Sequence, residues 1–245
     1  MANEKLDGHL RNRLLAAVPA SDFSLLKPDL RATVFKQGAV VQQEGEFIEH
    51  VYFPQTGMIS LLVITQEGGG IEAATIGFEG AVGANGGLGK RRAFTRGVIQ
   101  LPGTISHIPA SDLKRVVGRS NAIRDIISRY TEVLLVEAQQ IAACNALHDA
   151  EARLARWLLQ TQDRTPGPAS SFPFTQEFLS QMLGIRRTTV TLVARALQRA
   201  GLIRYTRGKI VILDRPGLEE AACECYRVIQ HETLPATMGI DLKPR

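Results

Sequence analysis

The chain has 245 residues, of which 44% are hydrophobic and 22% are charged, so disorder and a fibrous repeat are excluded and two ordinary domains are expected. The formal net charge is +5, and it is distributed unevenly along the chain. The three cysteines are too few, and odd in number, for a disulfide framework. The charged N-terminus lacks the apolar core of a secretion signal, so we expect a cytoplasmic protein without membrane contact.

A helical stretch near Asp7–Ala17 precedes a region from about Arg31 to Pro109 that holds most of the glycines. Between the glycines lie short runs of β-forming residues, which are Val51–Phe53, Met58–Ile64, Glu72–Ile76 and Gly103–Ile108. Short strands separated by glycine turns are typical of a β-sandwich or barrel.

Beyond Ser111 the apolar spacing lengthens towards 3.6 residues, which predicts a long helix from about Asn121 to Leu147. Its apolar positions alternate by four and three, as in a seam that contacts another helix. The predicted dimer interface consists of five residues of this seam: Ile123, Ile127, Tyr130, Leu134 and Ile141. Glu137 lies in the same seam, and its carboxylate disfavours an interface made only of apolar contacts. The alternative is that the seam packs on the chain's own domain.

A further amphipathic helix, about Asp149–Gln162, leads into a connector rich in proline, glycine and serine, Thr165–Ser171. The predicted organisation is a β-rich domain over residues 1–120, a long helix over 121–148, a second domain over 149–225 and a C-terminal tail over 226–245.

The strongest pattern is a pair of short helices separated by Gly184. Leu179 and Leu183 place apolar groups one turn apart on a first helix, which Thr175 can cap. Gly184 then permits a tight turn, because a left-handed backbone is favourable without a Cβ. The second helix has an apolar side and an outward side, and the outward residues are Arg186, Arg187, Thr188, Thr191, Leu192 and Arg195. A helix in this position can enter a DNA major groove.

Two short strands, Leu202–Thr206 and Lys209–Leu213, follow and flank Arg207-Gly208, so a basic β-hairpin is expected. From Phe178 to Leu213 there is no Asp or Glu. A positive field confined to one segment favours a polyanionic partner, although a solvated basic surface is the alternative.

The order of these elements resembles the Crp/Fnr family of bacterial transcription regulators over roughly Val34–Leu213. The most specific motifs are Leu-Gly-Ile-Arg-Arg-Thr-Thr-Val at 183–190 and Ala-Gly-Leu-Ile at 200–203. The resemblance implies an α+β fold: an antiparallel β-roll (double-stranded β-helix) sensor domain, a long dimerisation helix and a C-terminal winged helix-turn-helix. It also implies a homodimer that binds a palindromic operator in double-stranded DNA, with RNA polymerase as a further partner.

By the same resemblance, Arg187 matches the family's base-reading arginine. Thr188 and Leu192 stand where a cyclic-AMP-binding member has Glu and Arg, so we expect a different operator. The full set of expected base readers is Arg187, Thr188, Thr191 and Leu192. The residues expected on the DNA backbone are Thr175, Arg186, Arg195, Arg207 and Lys209.

Members that bind cyclic nucleotides use a Gly-Glu pair for the ribose and an Arg-Ser pair for the cyclic phosphate. Here both pairs are altered, and the candidate effector pocket is formed by Glu79, Gly80, Arg91, Arg92 and Ala93. Control by cyclic AMP is therefore not expected, an effector would be some other small molecule, and a solvated loop is the alternative.

No resident cofactor or metal is expected. An iron–sulfur cluster needs cysteines near the N-terminus, and none precedes Cys144. Cys223 and Cys225 are interpreted as structural, and a metal or redox site is the alternative. A metal-dependent enzyme of cupin type would need clustered histidines and carboxylates, whereas the five histidines are scattered, so no enzymatic activity is expected. The third class is an adaptor that has lost DNA binding.

Overall fold

The computed structural model describes residues 8–67, 69–89, 91–165 and 171–236, with side chains as far as residue 231. Three parts of the predictions lie outside these residues: positions 166–170 of the connector Thr165–Ser171, the start of the N-terminal helix at Asp7, and the last nine residues of the tail. Within the described residues, no helix is long and apolar enough to cross a membrane.

The N-terminal domain is an antiparallel β-roll of two facing sheets, as the fold class predicted. Its strands are β1 (Arg31–Phe35), β2 (Val40–Gln42), β3 (His50–Pro54), β4 (Met58–Ile64), β5 (Gly70–Ile76), β6 (Arg96–Leu101) and β7 (Gly103–Pro109). One sheet has the order β1-β7-β3 and the other β2-β6-β4-β5, with antiparallel pairing throughout. Ile59, Ile99 and Ile105 lie fully buried between the sheets.

The chain before the roll forms a 3-10 turn (Gly8–Arg11), α1 (Arg13–Ala16) and α2 (Ala20–Leu26), and not one helix over Asp7–Ala17. The interruption falls at Asn12, whose buried side chain accepts a hydrogen bond from the Leu15 amide and caps α1. The same side chain donates to the carbonyls of Pro54 and Gly80 and so fixes the segment on the roll.

After the roll come α3 (Ala110–Val117) and the long helix α4, which runs from Asn121 to Leu147 as predicted. Ser120 caps α4 by accepting a hydrogen bond from the Ile123 amide. A single break at His148 separates α4 from α5 (Ala150–Asp163), because Asp149 caps α5 through the amides of Glu151 and Ala152.

The seam of α4 packs on the chain's own β-roll, so its assignment as the dimer interface was wrong. Ile123, Ile127 and Tyr130 are buried with residues of α1, α2, β3 and α3, and Leu134 packs against the same cluster. Ile141 is also buried. A four-three seam identifies a helix face that needs a partner, and here the partner is the domain in the same chain.

Behind α5 come β8 (Ser171–Phe172), α6 (Gln176–Leu183), α7 (Arg187–Arg199), β9 (Ile203–Thr206), β10 (Lys209–Ile212) and α8 (Arg215–Ala221). Residues 225–236, most of them assigned to the tail, form helix α9 (Cys225–Ala236), which packs along α4 and α5. The C-terminal domain, from α5 to α9, shares a hydrophobic core with the roll, since Met58, Leu62 and Leu101 of the roll are clustered with Trp157 and Leu179.

A buried ion network joins the two domains through Arg164, the residue that follows α5. Arg164 Nε donates to Glu79 Oε1 at 2.6 Å, and Arg164 Nη2 lies 3.4 Å from Glu137 Oε1. Trp157 Nε1 donates to the buried Glu72 at 2.6 Å. Burial raises the pKa of Glu137 to about 7, and the nearby Glu79 charge opposes the compensating effect of Arg164. The network therefore confines two carboxylates with one guanidinium.

Replacing Glu137 by Gln should remove a pH dependence of stability. The folded pKa of Glu137 lies above its ordinary value, so the folded state binds the extra proton and stability falls as pH rises from about 4.5 to about 7. Above that window the full cost of burying the charge remains, on the order of 1–3 kcal/mol. Unfolding free energies at pH 5 and pH 8 should converge in Glu137→Gln. The matched control is Glu220→Gln, an exposed residue on α8. Equal pH slopes in wild type and Glu137→Gln would contradict this account.

Candidate nucleic-acid interface

The helix pair that the sequence predicted is formed by α6 and α7. Thr175 caps α6 by accepting a hydrogen bond from the Phe178 amide at 3.1 Å. Gly184 ends α6 with φ of 61°, the left-handed conformation that the turn required. A Cβ at Gly184 would also lie 2.5 Å from Ile71 of β5, so this turn packs closely on the roll.

Helix α7 has one buried side and one exposed side. Val190, Ala194 and Leu197 are buried in the shared core. The exposed side carries the residues that the sequence placed outward, namely Arg186, Arg187, Thr188, Leu192 and Arg195. Leu192 is 66% exposed, so nothing in the protein's own core explains an apolar side chain there.

Thr191 differs from the other outward residues because it is half-buried. Its hydroxyl donates to the Arg187 carbonyl at 3.0 Å, within the helix. The hydroxyl oxygen can still accept a hydrogen bond, whereas its proton is already engaged. Thr188 is exposed and has the fuller capacity for a new hydrogen bond.

Arg187 begins α7, and among the described residues it forms an ion pair with Glu177. Its Nη1 lies 3.1 Å from Glu177 Oε2, and both side chains are mostly exposed. Such exposed pairs contribute about 0–1 kcal/mol, so Arg187 can exchange Glu177 for another acceptor at little cost. The positive charge of Arg187 also acts on the neighbouring Tyr205, whose pKa is nevertheless raised because burial is the larger effect.

The predicted basic hairpin is present as β9 and β10, with β8 as a third strand that the sequence did not indicate. The turn residues Arg207 and Gly208 have φ of 50° and 75°, as in the type I′ turns that match the twist of a hairpin. Arg207 and Lys209 are exposed. A Cβ at Gly208 would lie 3.5 Å from Thr175, so the wing lies against the start of α6.

The start of α6, the start of α7 and the wing together form one surface, which we call the basic face. It comprises Thr175, Arg186, Arg187, Thr188, Thr191, Leu192, Arg195, Arg207 and Lys209. No acidic residue occurs between Phe178 and Leu213, and the acidic residue that contacts the face is Glu177, beside Arg187. The aligned amides at the N-terminus of α7 add positive potential to this surface.

The candidate effector residues separate into two groups. Arg92 and Ala93 line a cavity of about 130 Å³ between the roll and α4, together with Gln42, Thr131 and Leu134. Arg91 is exposed and is not part of the lining.

Glu79 and Gly80 do not belong to this cavity, so the structure corrects their assignment. Glu79 is engaged by Arg164. Gly80 lies directly beneath Tyr130, whose hydroxyl would be 2.2 Å from an added Cβ. A carboxylate at Glu79 and a glycine at Gly80 are therefore explained by contacts with Arg164 and Tyr130. These contacts join distant segments of the chain, so the sequence pattern could not reveal them.

Sequence reasoning missed a cluster of cysteine and histidine side chains at the break between α4 and α5. Cys144, His148, Cys223 and Cys225 place their sulfur and nitrogen atoms within 4.8 Å of one another. The sequence does contain a signal for this cluster, because Cys144 and His148 have a Cys-x₃-His spacing and Cys223 and Cys225 form a distant Cys-x-Cys pair. Helix α9, which covers much of the predicted tail, packs along α4. This contact brings Cys223 and Cys225 next to Cys144 and His148.

Comparison with known proteins agrees with this geometry. Residues 152–221 match the family model of the Crp-like helix-turn-helix domain. No curated protein matches the chain by sequence. Solved structures resemble about four fifths of the chain. A crp/fnr-family regulator from Eubacterium rectale has 17% identity, a TM-score of 0.66 and coverage of 85% of this chain and 96% of its own.

A Crp/Fnr-family regulator from Thermus thermophilus, TTHA1359, has 22% identity, a TM-score of 0.63 and coverage of 78% of this chain and 98% of its own. The c-di-GMP-responsive regulator CLP from Xanthomonas campestris has 15% identity, a TM-score of 0.64 and coverage of 80% and 100% respectively. The chain thus contains a Crp-like helix-turn-helix domain and has the fold of Crp/Fnr regulators, which confirms the resemblance found in the sequence.

The two sides of α7 should respond differently to truncation. Leu197→Ala should lower the free energy of unfolding by about 2–5 kcal/mol, because a fully buried leucine leaves a cavity. Leu192→Ala should change it by less than about 0.5 kcal/mol. Urea unfolding of both variants measures the difference. A large loss in Leu192→Ala would show that Leu192 supports the fold, and would remove it from the basic face.

Proposed function

We propose that this chain, with its Crp-like helix-turn-helix domain on a Crp/Fnr fold, is a transcription regulator that binds a palindromic DNA operator as a homodimer. The observation that carries the proposal is Arg187, exposed at the start of α7 in a surface without competing acids other than Glu177. The N-terminal residues of such a helix meet base edges when it lies in the major groove.

The exposed side of α7 offers chemically distinct contacts to base pairs. Arg187 can place two parallel hydrogen bonds on the O6 and N7 atoms of a guanine. Thr188 can donate to or accept from a base edge, and Thr191 can accept. Leu192 can contact a thymine methyl group, which gives its 66% exposure a function.

The remaining cations surround these readers and suit the phosphate backbone. Arg207 and Lys209 project from the wing, and Arg186 and Arg195 flank the reading positions. Thr175 lies beside the wing at the start of α6, where the exposed helix N-terminus can accept a phosphate. These contacts position the domain without selecting a sequence.

Arg187→Ala and Lys209→Ala should therefore change DNA binding differently, the first in sequence preference and the second in salt dependence. Arg187→Ala should cost about 1–3 kcal/mol on the cognate operator and relax the preference at one position per half-site. Lys209→Ala should weaken binding to all sequences alike and make the slope of log affinity against log salt shallower by about one unit. Salt titrations on cognate and scrambled duplexes measure both effects.

The control for charge loss is Lys114→Ala, in α3 and away from the basic face, which should bind as wild type does. If Arg187→Ala weakened cognate and scrambled DNA equally and kept the base preferences, Arg187 would not be the reader. Arg186 or Arg195 would then be the next candidates.

A second seam on α4, distinct from the buried one, supports the homodimer. The exposed residues along it alternate by four and three, and they are Ser128, Glu132, Leu135, Gln139, Ala142 and Ala146. Leu135 is 59% exposed, and the two alanines allow a second helix to approach closely. A two-fold dimer through this seam would present two α7 helices to half-sites about 10–11 bp apart.

Leu135→Glu should convert the dimer to a monomer and weaken operator binding, because it places one charge per chain in an apolar contact. The fold should be retained, since Leu135 does not contribute to the buried cores of the described residues. Sedimentation at micromolar concentration and thermal unfolding are the measurements. Val34→Glu, at a residue 74% exposed on β1, is the matched control and should leave the dimer intact. An unchanged dimer in Leu135→Glu would place the interface elsewhere.

The β-roll is proposed to act as the sensor through the cavity against α4. The cavity is lined by residues of the roll and by Thr131 and Leu134 of α4, the helix that carries the second seam. A bound molecule would therefore contact both the roll and the proposed dimer helix. Arg92 supplies a positive charge at the cavity, which favours an anionic or polar small molecule. The absence of Glu79 from the lining leaves no carboxylate for a ribose hydroxyl, in line with an effector other than cyclic AMP.

A further inference from the structure

The cysteine and histidine cluster lies where three segments of the chain meet. Cys144 is in the last turn of α4, and His148 directly follows that helix, before Asp149 caps α5. Cys223 precedes α9 and Cys225 begins it. The cluster thus joins the end of the long helix, the break before the DNA-binding domain and the last element of that domain.

The distances in the cluster are those of ligands around one ion. Cys144 Sγ and Cys223 Sγ are 3.5 Å apart, and so are Cys225 Sγ and His148 Nδ1. In a tetrahedral site with Zn–S near 2.3 Å and Zn–N near 2.0–2.1 Å, neighbouring ligand atoms lie roughly 3.5–3.8 Å apart. All four ligand atoms lie within 4.8 Å of one another, so a single ion can reach every one after small side-chain shifts.

The surroundings of the cluster also suit a bound metal. His148 faces Cys225 with Nδ1, while its Nε2 lies 3.1 Å from Glu224 Oε1, the carboxylate contact that orients metal-binding histidines. Gln140 Nε2 donates to Cys225 Sγ at 3.0 Å, as expected for a partner of a thiolate. These two contacts hold His148 and Cys225 in place.

Two buried arginines provide the charge that such a site needs. Three thiolates and a neutral imidazole around a divalent ion carry a net charge of −1. Arg153 and Arg156 lie on α5 at 7% and 3% exposure, and the Nε atom of each has no hydrogen-bond partner among the described residues. The positive charge of Arg156 acts on both Cys144 and Cys223. Neither arginine has a carboxylate ion pair in the described part of the chain.

We propose that Cys144, His148, Cys223 and Cys225 form a structural zinc site that fastens the DNA-binding domain to α4. The ligand set Cys₃His is one that closed, four-coordinate zinc sites use, and it leaves no position open for catalysis. Because only His148 and Asp149 separate α4 from α5, an ion bound to His148 restricts the angle between the two domains. This inference does not depend on the proposed DNA-binding function.

The first test is metal content. Wild-type protein purified without added chelator should hold one zinc per chain by elemental analysis. Replacing the zinc by Co²⁺ should give the visible bands of tetrahedral cobalt and a thiolate-to-cobalt charge-transfer band. Cys223→Ser should lose most of the metal and change both signals. His231→Ala, a substitution on α9 outside the cluster, is the matched control and should retain one zinc.

A surface variant separates loss of metal from loss of fold. Glu224 is 73% exposed, so Glu224→Ala should fold normally and weaken zinc affinity by about tenfold through loss of the contact with His148. Competition with a chelator of known affinity measures this change. Zinc removal from wild type should also lower the thermal midpoint, because a structural ion binds only the folded state.

Three results would overturn the proposal. The first is wild-type protein that contains no metal and gives no cobalt spectrum after reduction and reconstitution. The second is an affinity for zinc that Cys223→Ser leaves unchanged. The third is a Cys144–Cys223 disulfide in protein purified under reducing conditions, which would assign the pair to redox chemistry.

Discussion

The position of the DNA-binding domain depends on one buried guanidinium. Arg164 follows α5 and contacts Glu79 from the roll and Glu137 from α4, so three segments meet at one side chain. Removing Arg164 would leave two buried carboxylates without a cation, a larger cost than the pair itself contributes to stability. The shared core around Trp157 and the close packing of Gly184 on Ile71 depend on the same alignment of the two domains.

The sequence predicted the helix pair well because its determinants are local. Thr175 caps α6 through an amide three residues away, and Gly184 adopts the left-handed turn that only its missing Cβ makes favourable. Arg207-Gly208 likewise closes a two-residue hairpin. The exposed side of α7 follows directly from a 3.6-residue period, and this period alone is enough to assign Arg187 and Leu192 to that side.

The sequence was misleading wherever a residue's partner lies far along the chain. The four-three seam of Ile123 and Ile127 was correctly recognised as a contact face, but periodicity does not distinguish a second chain from the chain's own roll. Glu79 was assigned to a ligand because its partner, Arg164, is 85 residues away. Cys144 and Cys223 were interpreted separately for the same reason, since only the return of α9 to α4 brings them together.

Selection of bound duplexes from a random DNA library by purified wild-type protein tests most directly whether the basic face recognises a palindromic sequence. We expect enrichment of a two-fold symmetric sequence whose half-sites lie about one helical turn apart, with a guanine in each half-site. Such a sequence would support both base reading by Arg187 and the homodimer proposed on α4. Retention of library DNA without any enriched sequence would contradict the claim, because the basic face would then bind only through its charge.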